Sequence, residues 1–329
     1  MSRIVRFHRI GGPEVLQIDE IDLGAPGPGE IKIKVHALGL NRAEAMYRAG
    51  AYLEQPNVPS RLGYEASGVV EAVGTGVTGF KMGDVVSTIP AFSMNQYGVY
   101  GDTTIVPAHA VAKHPTSLSW AEAASIWMQY LTAYGALVQI GDLKKGEAVV
   151  ITAASSSVGI AAIQIANSLG AIPIATTRSS AKRAALIEAG AAHVIATEEQ
   201  DVAAEVMKIT GKKGARMAFD PVCGPGVEAL AGALGDQGIL FLYGALAGAA
   251  TPFPLYPALS KNLTLRGYTL FAVTSDPALM ERGKKFVIDG LASGHFKPII
   301  AKTFPFDQIV ESHRYLESNA QVGKVVVTV

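Results

Sequence analysis

The sequence predicts an α/β protein in which a doubly wound parallel sheet is inserted into a β-barrel domain. Apolar strand-like segments alternate with helix-like segments from residue 148 to residue 246, and this order is typical of a parallel sheet covered by helices. The N-terminal third instead carries short strands separated by glycine-rich turns, which is typical of a small barrel. A strand-like segment, GKVVVTV, closes the chain, so we expect the chain to return to the barrel.

The barrel strands are predicted from apolar alternation and turn signals. IKIKVHAL at residues 31–38 alternates apolar and polar residues, and it follows a stretch of glycine and proline in which no regular element persists. ASGVVEAVG at residues 66–74 is the second strand, and the glycines after it mark a loop. Another apolar strand begins at Asp84.

The parallel-sheet domain is introduced by a predicted helix that begins at Ser119. Glu122 completes a capping box there, and apolar residues continue at helical spacing to Val138. Strands are predicted at residues 148–154, 171–177, 193–197, 215–222 and 238–246, and helices at residues 158–170, 180–191, 202–211 and 227–234. A strand bent at Gly267 and helices at residues 277–294 and 308–320 precede the final strand.

Composition excludes several classes of protein. Of the 329 residues, 49% are hydrophobic and 17% are charged, which is enough apolar material for a large core and excludes a disordered chain. The 28 basic residues are matched by 28 acidic ones, so we expect no nucleic-acid partner. Residues 148–177 and 237–260 carry no charge, but polar residues, glycine and proline interrupt them, and we expect no membrane span.

The single cysteine, Cys223, excludes an intrachain disulfide and any cysteine-rich zinc site. The N-terminus also lacks the apolar core of a signal peptide. Both observations are typical of a cytoplasmic protein, which is the compartment that we predict.

A nucleotide-binding turn is predicted where the first parallel strand meets its helix. Read as G-x-G-x-x-G, the small positions are Ala154, Ser156 and Gly159, of which only the last is glycine. Backbone N–H groups and serine hydroxyls at this helix terminus are suited to a pyrophosphate. The predicted contacts are Ser155, Ser156, Ser157, Val158 and Gly159. A tight turn that binds no ligand is the alternative interpretation.

The end of the next strand indicates which dinucleotide would bind. An NAD-type site has Asp or Glu there to bind the ribose 2′-hydroxyl, but this chain has Thr177, Arg178 and Ser179, followed by Lys182. Cations at a helix start oppose the helix dipole unless they bind an anion. We therefore predict that Arg178, Ser179 and Lys182 bind a 2′-phosphate, that Thr177 also contacts the cofactor, and that the cofactor is NADPH. The alternative is a solvated first turn of the helix.

An ordered set of motifs resembles the medium-chain dehydrogenase/reductase superfamily, in its zinc-independent quinone oxidoreductase branch. The motifs are GGPEVL (11–16), residues 26–52, residues 63–86, LTAYGAL (131–137), AASSSVG (153–159) and GKVVVTV (323–329). The resemblance implies a GroES-like β-barrel catalytic domain of residues 1–122 and 265–329. It also implies a doubly wound Rossmann domain of residues 123–264, and a homodimer that uses residues 237–261.

The resemblance also implies that no metal is bound. Zinc enzymes of the family carry Cys and His where this chain has Asn41 and Tyr64. Glu65 remains, but one carboxylate cannot supply the usual three ligands. The histidines at positions 36, 109 and 114 have no ligand spacing. Without a Lewis acid, hydride transfer to a quinone or an α,β-unsaturated carbonyl is favoured over alcohol oxidation.

The resemblance places Asn41 and Tyr52 near the nicotinamide. Asn41 would donate an amide N–H, and Tyr52 or Tyr64 would donate an O–H, to the anion that develops on the substrate. By position, the remaining predicted cofactor contacts are Gln129, Thr132, Tyr243, Gly244, Ala245, Phe271, Val273 and Lys324. An exposed strand residue is the alternative interpretation of Lys324. The candidate pocket residues are Phe92, Met94, Trp127 and Phe271, with core packing as the alternative.

Two other functions stay open at this point. Met46 stands where the family often shows a tyrosine, which leaves an NADPH-binding protein with little turnover as one alternative. The other is an alcohol dehydrogenase-like enzyme with an atypical metal site.

Overall fold

The computed structural model describes all 329 residues and divides the chain into two compact units. The first unit contains residues 1–128 and 298–329, and the second contains residues 129–297. None of the helices combines the length and the apolar character that a membrane span requires.

The regular elements are numbered here in chain order. The strands are β1 (Ser2–Phe7), β2 (Leu16–Ile21), β3 (Glu30–Leu40), β4 (Ser60–Arg61), β5 (Glu65–Val73), β6 (Val85–Thr88), β7 (Thr103–Pro107), β8 (Val111–Lys113), β9 (Ala148–Ile151), β10 (Ile172–Thr177), β11 (His193–Ala196), β12 (Ala215–Asp220), β13 (Leu234–Leu242), β14 (Thr264–Gly267), β15 (Ile300–Pro305) and β16 (Lys324–Thr328). The α-helices are α1 (Arg42–Arg48), α2 (Trp120–Ala123), α3 (Trp127–Tyr134), α4 (Ser157–Ser168), α5 (Arg183–Glu188), α6 (Val202–Ile209), α7 (Val227–Ala233), α8 (Leu255–Ser260), α9 (Phe271–Thr274), α10 (Pro277–Ala292) and α11 (Ile309–Glu317).

The first unit is built around β3, the strand that apolar alternation predicts. Its inward residues Ile31, Ile33 and Val35 are buried, while Lys34 between them is exposed. The seven-stranded sheet has the order β15-β16-β3-β5-β6-β8, with β7 also paired to β3. All of these pairs are antiparallel except β15 with β16, so the last two strands of the chain complete a sheet that begins with β3. The strands β1, β2 and β4 form a separate three-stranded sheet.

The second unit contains the predicted doubly wound sheet. Its six strands are all parallel in the order β11-β10-β9-β12-β13-β14. Val150, Ile174 and Leu240 lie in one core cluster and are fully buried. This strand order is the dinucleotide-binding order, in which ligands meet the carboxyl ends of the strands near the point where the order reverses.

The single helix predicted from Ser119 to Val138 is interrupted. The Ser119–Glu122 capping box forms as predicted, but α2 ends at Ala123. A new helix, α3, begins at Trp127, because the Glu65 carboxylate accepts its backbone N–H at 3.0 Å. That carboxylate lies 62 positions away in the sequence, so no local pattern reveals the break.

The boundaries between the units differ from the predicted ones. The structure changes unit after Met128 and after Lys297, rather than after residues 122 and 264. β14 pairs with β13 as the sixth parallel strand, and the chain then forms α9 and α10 within the second unit. Residues 271–274 are therefore helical, although the sequence predicts that the strand continues through Phe271.

The predicted dimer segment, residues 237–261, does not contain an edge strand. β13 lies between β12 and β14, so its backbone groups are paired on both sides. The edge strands of this sheet are β11 and β14, and residues 237–261 include neither of them.

Candidate active site

Asn41 is the N-cap residue of α1, and its side chain is enclosed by polar partners. Its Nδ2 donates to the Gly39 carbonyl at 3.2 Å, to Glu44 Oε1 at 3.1 Å and to Glu65 Oε2 at 3.2 Å. Its Oδ1 accepts from Lys324 Nζ at 2.6 Å. These N–H groups already have acceptors inside the unit, which favours a structural role for Asn41 over the predicted donation to the substrate.

Lys324 begins the last strand, and its ammonium is buried in the first unit. The side chain is fully buried and forms an ion pair with Glu65, whose side chain is also buried. Asn41 supplies the second oxygen. The ammonium contacts these two partners, which favours a structural role for Lys324 over the predicted contact with the cofactor. The alternative, an exposed strand residue, is excluded because Lys324 is buried.

Glu44 is a functional candidate that sequence reasoning missed. Its carboxylate accepts the Asn41 backbone N–H at 2.7 Å, the Asn41 side-chain N–H and the Tyr64 backbone N–H at 3.2 Å. Burial raises the pKa of Glu44 to about 7, against the opposing effects of Asn41 and Lys324. The asparagine three residues before a glutamate was the available signal, because that spacing is typical of a capping box.

Tyr52 and Tyr64, here called the tyrosine pair, are brought together. Their hydroxyls form a hydrogen bond with each other. Burial raises the pKa of Tyr52 to about 12 and that of Tyr64 further, and the negative charges of Glu44 and Glu54 add to both shifts. Both hydroxyls are therefore protonated at neutral pH and can act as donors. Tyr64 is buried, whereas Tyr52 is partly exposed.

The tyrosine beside Met46 does not replace the missing family hydroxyl. Tyr47 is fully buried, and its hydroxyl donates to Asn95 Oδ1 at 2.8 Å and lies 2.7 Å from Ser60 Oγ. This hydroxyl is thus used to hold the following loop. Phe92, by contrast, packs on Tyr64 with ring centroids 5.6 Å apart.

Two other candidate pocket residues are buried in the first unit. Met94 and Trp127 are each 1% exposed. Trp127 donates its indole N–H to Ser87 Oγ at 2.8 Å, so it is a core residue rather than a pocket wall.

The predicted nucleotide turn has the close packing that a pyrophosphate site requires. A Cβ on Gly159 would lie 2.6 Å from both Cα and the carbonyl oxygen of Ala154, so only glycine fits. Ala153 adopts a left-handed φ of 44° although it is not glycine. Ser156 caps α4 by accepting the Gly159 N–H at 3.0 Å. A hydroxyl whose oxygen accepts a hydrogen bond can still donate its own O–H, so the serine hydroxyls of this turn and the backbone N–H groups remain available to an anion.

The turn and the end of β10 are joined by a lysine. Lys182 donates from Nζ to Ser155 Oγ at 3.1 Å. Burial lowers the pKa of Lys182, and the nearby charge of Arg178 lowers it further. Two cations that oppose each other in this way form a site that an anion would stabilise. The carboxylate of Glu199 caps the Ser180 N–H at 2.8 Å nearby.

Several buried polar atoms of the second unit have no hydrogen-bond partner. Among the predicted cofactor contacts these are Gln129 Oε1 and the Tyr243 hydroxyl, and the same holds for the Tyr268 hydroxyl and Thr274 Oγ1. Buried polar groups without partners are costly, so this set fits a polar ligand such as a carboxamide. Val273, in contrast, packs closely on the backbone of Gly135. A Cβ at position 135 would lie 2.5 Å from Val273 Cγ2.

The remaining predicted cofactor positions lie on α3, β10 and α9 and directly after β13. Thr132 is buried within α3, and Thr177 is the last residue of β10. Gly244 and Ala245 follow β13, where a Cβ on Gly244 would lie 2.6 Å from the Pro221 carbonyl oxygen. Phe271 begins α9.

The donor set does not fit a metal ion. No group of three or more His, Cys, Asp or Glu side chains is placed to hold one. The three candidate histidines have other partners: His36 stacks on Trp120, while His109 and His114 are hydrogen-bonded to backbone carbonyls. Glu65 is shared between Lys324 and backbone N–H groups.

Comparisons with known proteins cover nearly the whole chain. Residues 27–116 match the family described as alcohol dehydrogenase GroES-like domain, and residues 157–284 match the family described as zinc-binding dehydrogenase. The human quinone oxidoreductase is 30% identical over 99% of this chain and 98% of its own length. A 2-haloacrylate reductase from a Burkholderia species is 30% identical over 98% and 97%. The crystal structure of Escherichia coli quinone oxidoreductase complexed with NADPH superposes with a TM-score of 0.93, 30% identity and full coverage of both chains.

Proposed function

The chain belongs to the quinone oxidoreductase-like branch of the medium-chain dehydrogenase/reductase superfamily, and on this premise we propose that it reduces quinones or α,β-unsaturated carbonyls with NADPH and without a metal ion. The predicted resemblance and the predicted GroES-like and Rossmann domains are confirmed, and the chain is an oxidoreductase. The observation that carries the proposed substrate class is the tyrosine pair, a protonated donor in a unit without metal ligands.

The proposed cofactor is NADPH, which supplies the hydride when it is bound. Ser155, Ser157 and the backbone around Gly159 would bind the pyrophosphate, because the helix terminus there has N–H groups to donate. Arg178 and Lys182 would bind the 2′-phosphate. The preference for NADPH over NADH rests on these two cations and on the absence of an acidic residue at the end of β10.

The tyrosine pair is proposed to serve the substrate. A quinone or conjugated carbonyl spreads the incoming negative charge over several atoms, so a hydrogen-bond donor suffices where an alcohol oxidation would need a Lewis acid. Tyr52 is the proposed donor because it is the partly exposed member of the pair. Tyr64 holds the Tyr52 hydroxyl through their hydrogen bond.

A homodimer is the proposed assembly, through the segment that follows β13. Phe253, Tyr256 and Leu259 are 63%, 81% and 67% exposed, and they lie within seven residues of one another in the sequence. An exposed apolar segment of this kind is typical of a protein interface. The exposed edge strand β14 begins five residues after Leu259, and it offers unpaired backbone groups to a second copy.

The test is the loss of NADPH absorbance with purified protein and a panel of quinones and enals, with and without a chelator. We expect chelator-insensitive turnover that a Tyr52→Phe variant lowers by about 100-fold, which is the usual contribution of a positioned acid. Tyr315→Phe is the matched control, because that tyrosine packs on Phe304 away from the tyrosine pair. Saturable NADPH binding without turnover of any acceptor would contradict the proposal and favour a binding protein. In that case the family hydroxyl missing at Met46 would be the explanation, because the neighbouring Tyr47 hydroxyl is bonded to Ser60 and Asn95 and cannot replace it.

A further inference from the structure

The ammonium of Lys324 is a fixed internal cation. Its side chain is fully buried, and it contacts Asn41 Oδ1 at 2.6 Å together with the carboxylate of Glu65. The neighbouring strand makes room for the lysine stem, since a Cβ on Gly39 would lie 2.9 Å from Lys324 Cε. A lysine in this environment is stable only because both oxygens accept from it.

Glu65 uses its two carboxylate oxygens for different tasks. Oε2 faces Lys324 and Asn41, whereas Oε1 accepts the backbone N–H groups of Trp127 at 3.0 Å and Met128 at 2.9 Å. Every contact of Glu65 is thus with a donor. Moving Lys324 would leave this buried carboxylate without its cation.

Glu44 is a second buried carboxylate, and it has no cation in direct contact. Its hydrogen bonds come from neutral N–H donors of Asn41 and Tyr64. The charged and titratable groups that act on it are Lys324, which favours its ionised form, and Glu65, which opposes it. Glu44 in turn opposes ionisation of the tyrosines at positions 52, 64 and 100. One ammonium therefore serves two carboxylates.

We propose that Lys324 is a positioning residue of the reducing site, whose ammonium holds Asn41 and Glu65 in place and provides the counter-charge for Glu44 beneath the tyrosine pair. The inference rests on the proposed function. When Tyr52 gives its proton to the substrate anion, its O–H bond breaks and a phenolate remains until water returns a proton. An ionised Glu44 disfavours that phenolate. Because Lys324 influences whether Glu44 is ionised, it also influences the proton transfer from Tyr52.

Two readouts test the proposal. The first is kcat against pH for the wild type, Lys324→Met and Lys324→Arg. The second needs no turnover: it is the infrared carbonyl band of protonated Glu44, identified by its loss in Glu44→Gln. The matched control is Lys113→Met, which removes an exposed lysine that pairs with Asp84 at 2.9 Å in the same sheet.

The wild type should lose activity as pH rises through about 7, where Glu44 ionises. Lys324→Met should lower the maximal kcat by about tenfold or more, because Asn41 and Glu65 lose their anchor. It should also move the Glu44 band transition upward by about one pH unit or more, since the favourable cation is gone. Lys324→Arg should stay close to the wild type in the position of that transition, and Lys113→Met should match the wild type in both readouts.

An unchanged kcat and an unchanged band transition in Lys324→Met would overturn the proposal, as would an equal band shift in Lys324→Arg. A wild type without turnover refutes the proposed function, while the band titration still decides the role of Lys324. If Lys324→Met folds poorly, Lys324→Ala with added n-propylammonium replaces it, because this cation corresponds to the part of the lysine side chain that alanine lacks. Recovery of the band transition with that salt and not with tetramethylammonium, which has no N–H, supports the proposal, whereas equal responses contradict it.

Discussion

Replacing Lys182 with methionine should lower kcat/KM for NADPH and leave kcat/KM for NADH nearly unchanged. Lys182 is half-buried and donates to Ser155 at 3.1 Å, so a 2′-phosphate that displaced or joined this contact would meet a partly desolvated, oriented cation. A charge-assisted hydrogen bond of this kind contributes about 1.5–3 kcal/mol. Its loss should lower kcat/KM for NADPH roughly 10- to 150-fold, and kcat/KM for NADH should stay within about twofold.

Arg178 provides the comparison within the same site. It is exposed, so water and salt screen its charge, and a contact from it contributes only about 0–1 kcal/mol. Arg178→Met should therefore cost up to about fivefold in kcat/KM for NADPH, clearly less than Lys182→Met. Lys208→Met, an exposed lysine on α6, is the control and should change neither value.

The assay measures initial rates with each cofactor at a fixed acceptor concentration and at two salt concentrations. Equal losses with NADPH and NADH in Lys182→Met would refute the reasoning, because they would mean that the lysine supports the fold of the turn rather than recognising a phosphate. A larger effect of Arg178→Met than of Lys182→Met would refute the conclusion that Lys182 contributes more than Arg178 to NADPH recognition.

Three further predictions concern packing, acid stability and assembly. Gly159→Ala should abolish saturable NADPH binding in a fluorescence titration, because its Cβ would lie 2.6 Å from the Ala154 backbone; binding within about twofold of the wild type would contradict this. Burial lowers the pKa of His313 from 6.5 to about 3, so the neutral imidazole favours the folded state fully above pH 6.5. As pH falls below 6.5, the unfolded state takes up a proton that the folded state does not. The free energy of unfolding, measured in urea, should therefore be lower by about 3 kcal/mol at pH 4.5. A His313→Gln variant should lack that slope, and a retained slope would assign it elsewhere. Tyr256→Ser with Leu259→Ser should convert the proposed dimer to a monomer in sedimentation velocity without changing the circular dichroism spectrum; an unchanged sedimentation coefficient would exclude this surface.

The elements that could be predicted from the sequence are those whose cause is local. The parallel strands β9 to β13 follow from apolar runs between helical segments, and the Ser119–Glu122 capping box spans three residues. The need for glycine at position 159 also follows from a local motif, since the strand and the helix that it separates are adjacent in the sequence. Periodicity and capping both act within one or two turns of chain.

The parts that could not be predicted depend on contacts between distant segments. Asn41 was expected to face the substrate, but its partner Lys324 lies 283 positions later, and no pattern near Asn41 indicates that an ammonium binds it. The break before α3 depends in the same way on Glu65. The boundary at Lys297 was missed because β14 is only four residues long and its pairing with β13 carries no sequence signal of its own.

The seven-stranded sheet combines strands from before and after the second unit, and this has a consequence for the order in which the protein assembles during synthesis. Glu44 and Glu65 leave the ribosome with the first unit, but their counter-ion belongs to β16, which is translated only after the whole of residues 129–297. Lys324 follows Glu65 by 259 residues, so at about 5–20 residues per second the interval is roughly 13 to 50 seconds. During it the second unit, a continuous stretch of chain, can complete its own sheet, while the first still has two carboxylates without a cation. Vectorial synthesis thus sets an order of assembly in which the unit that begins first finishes last.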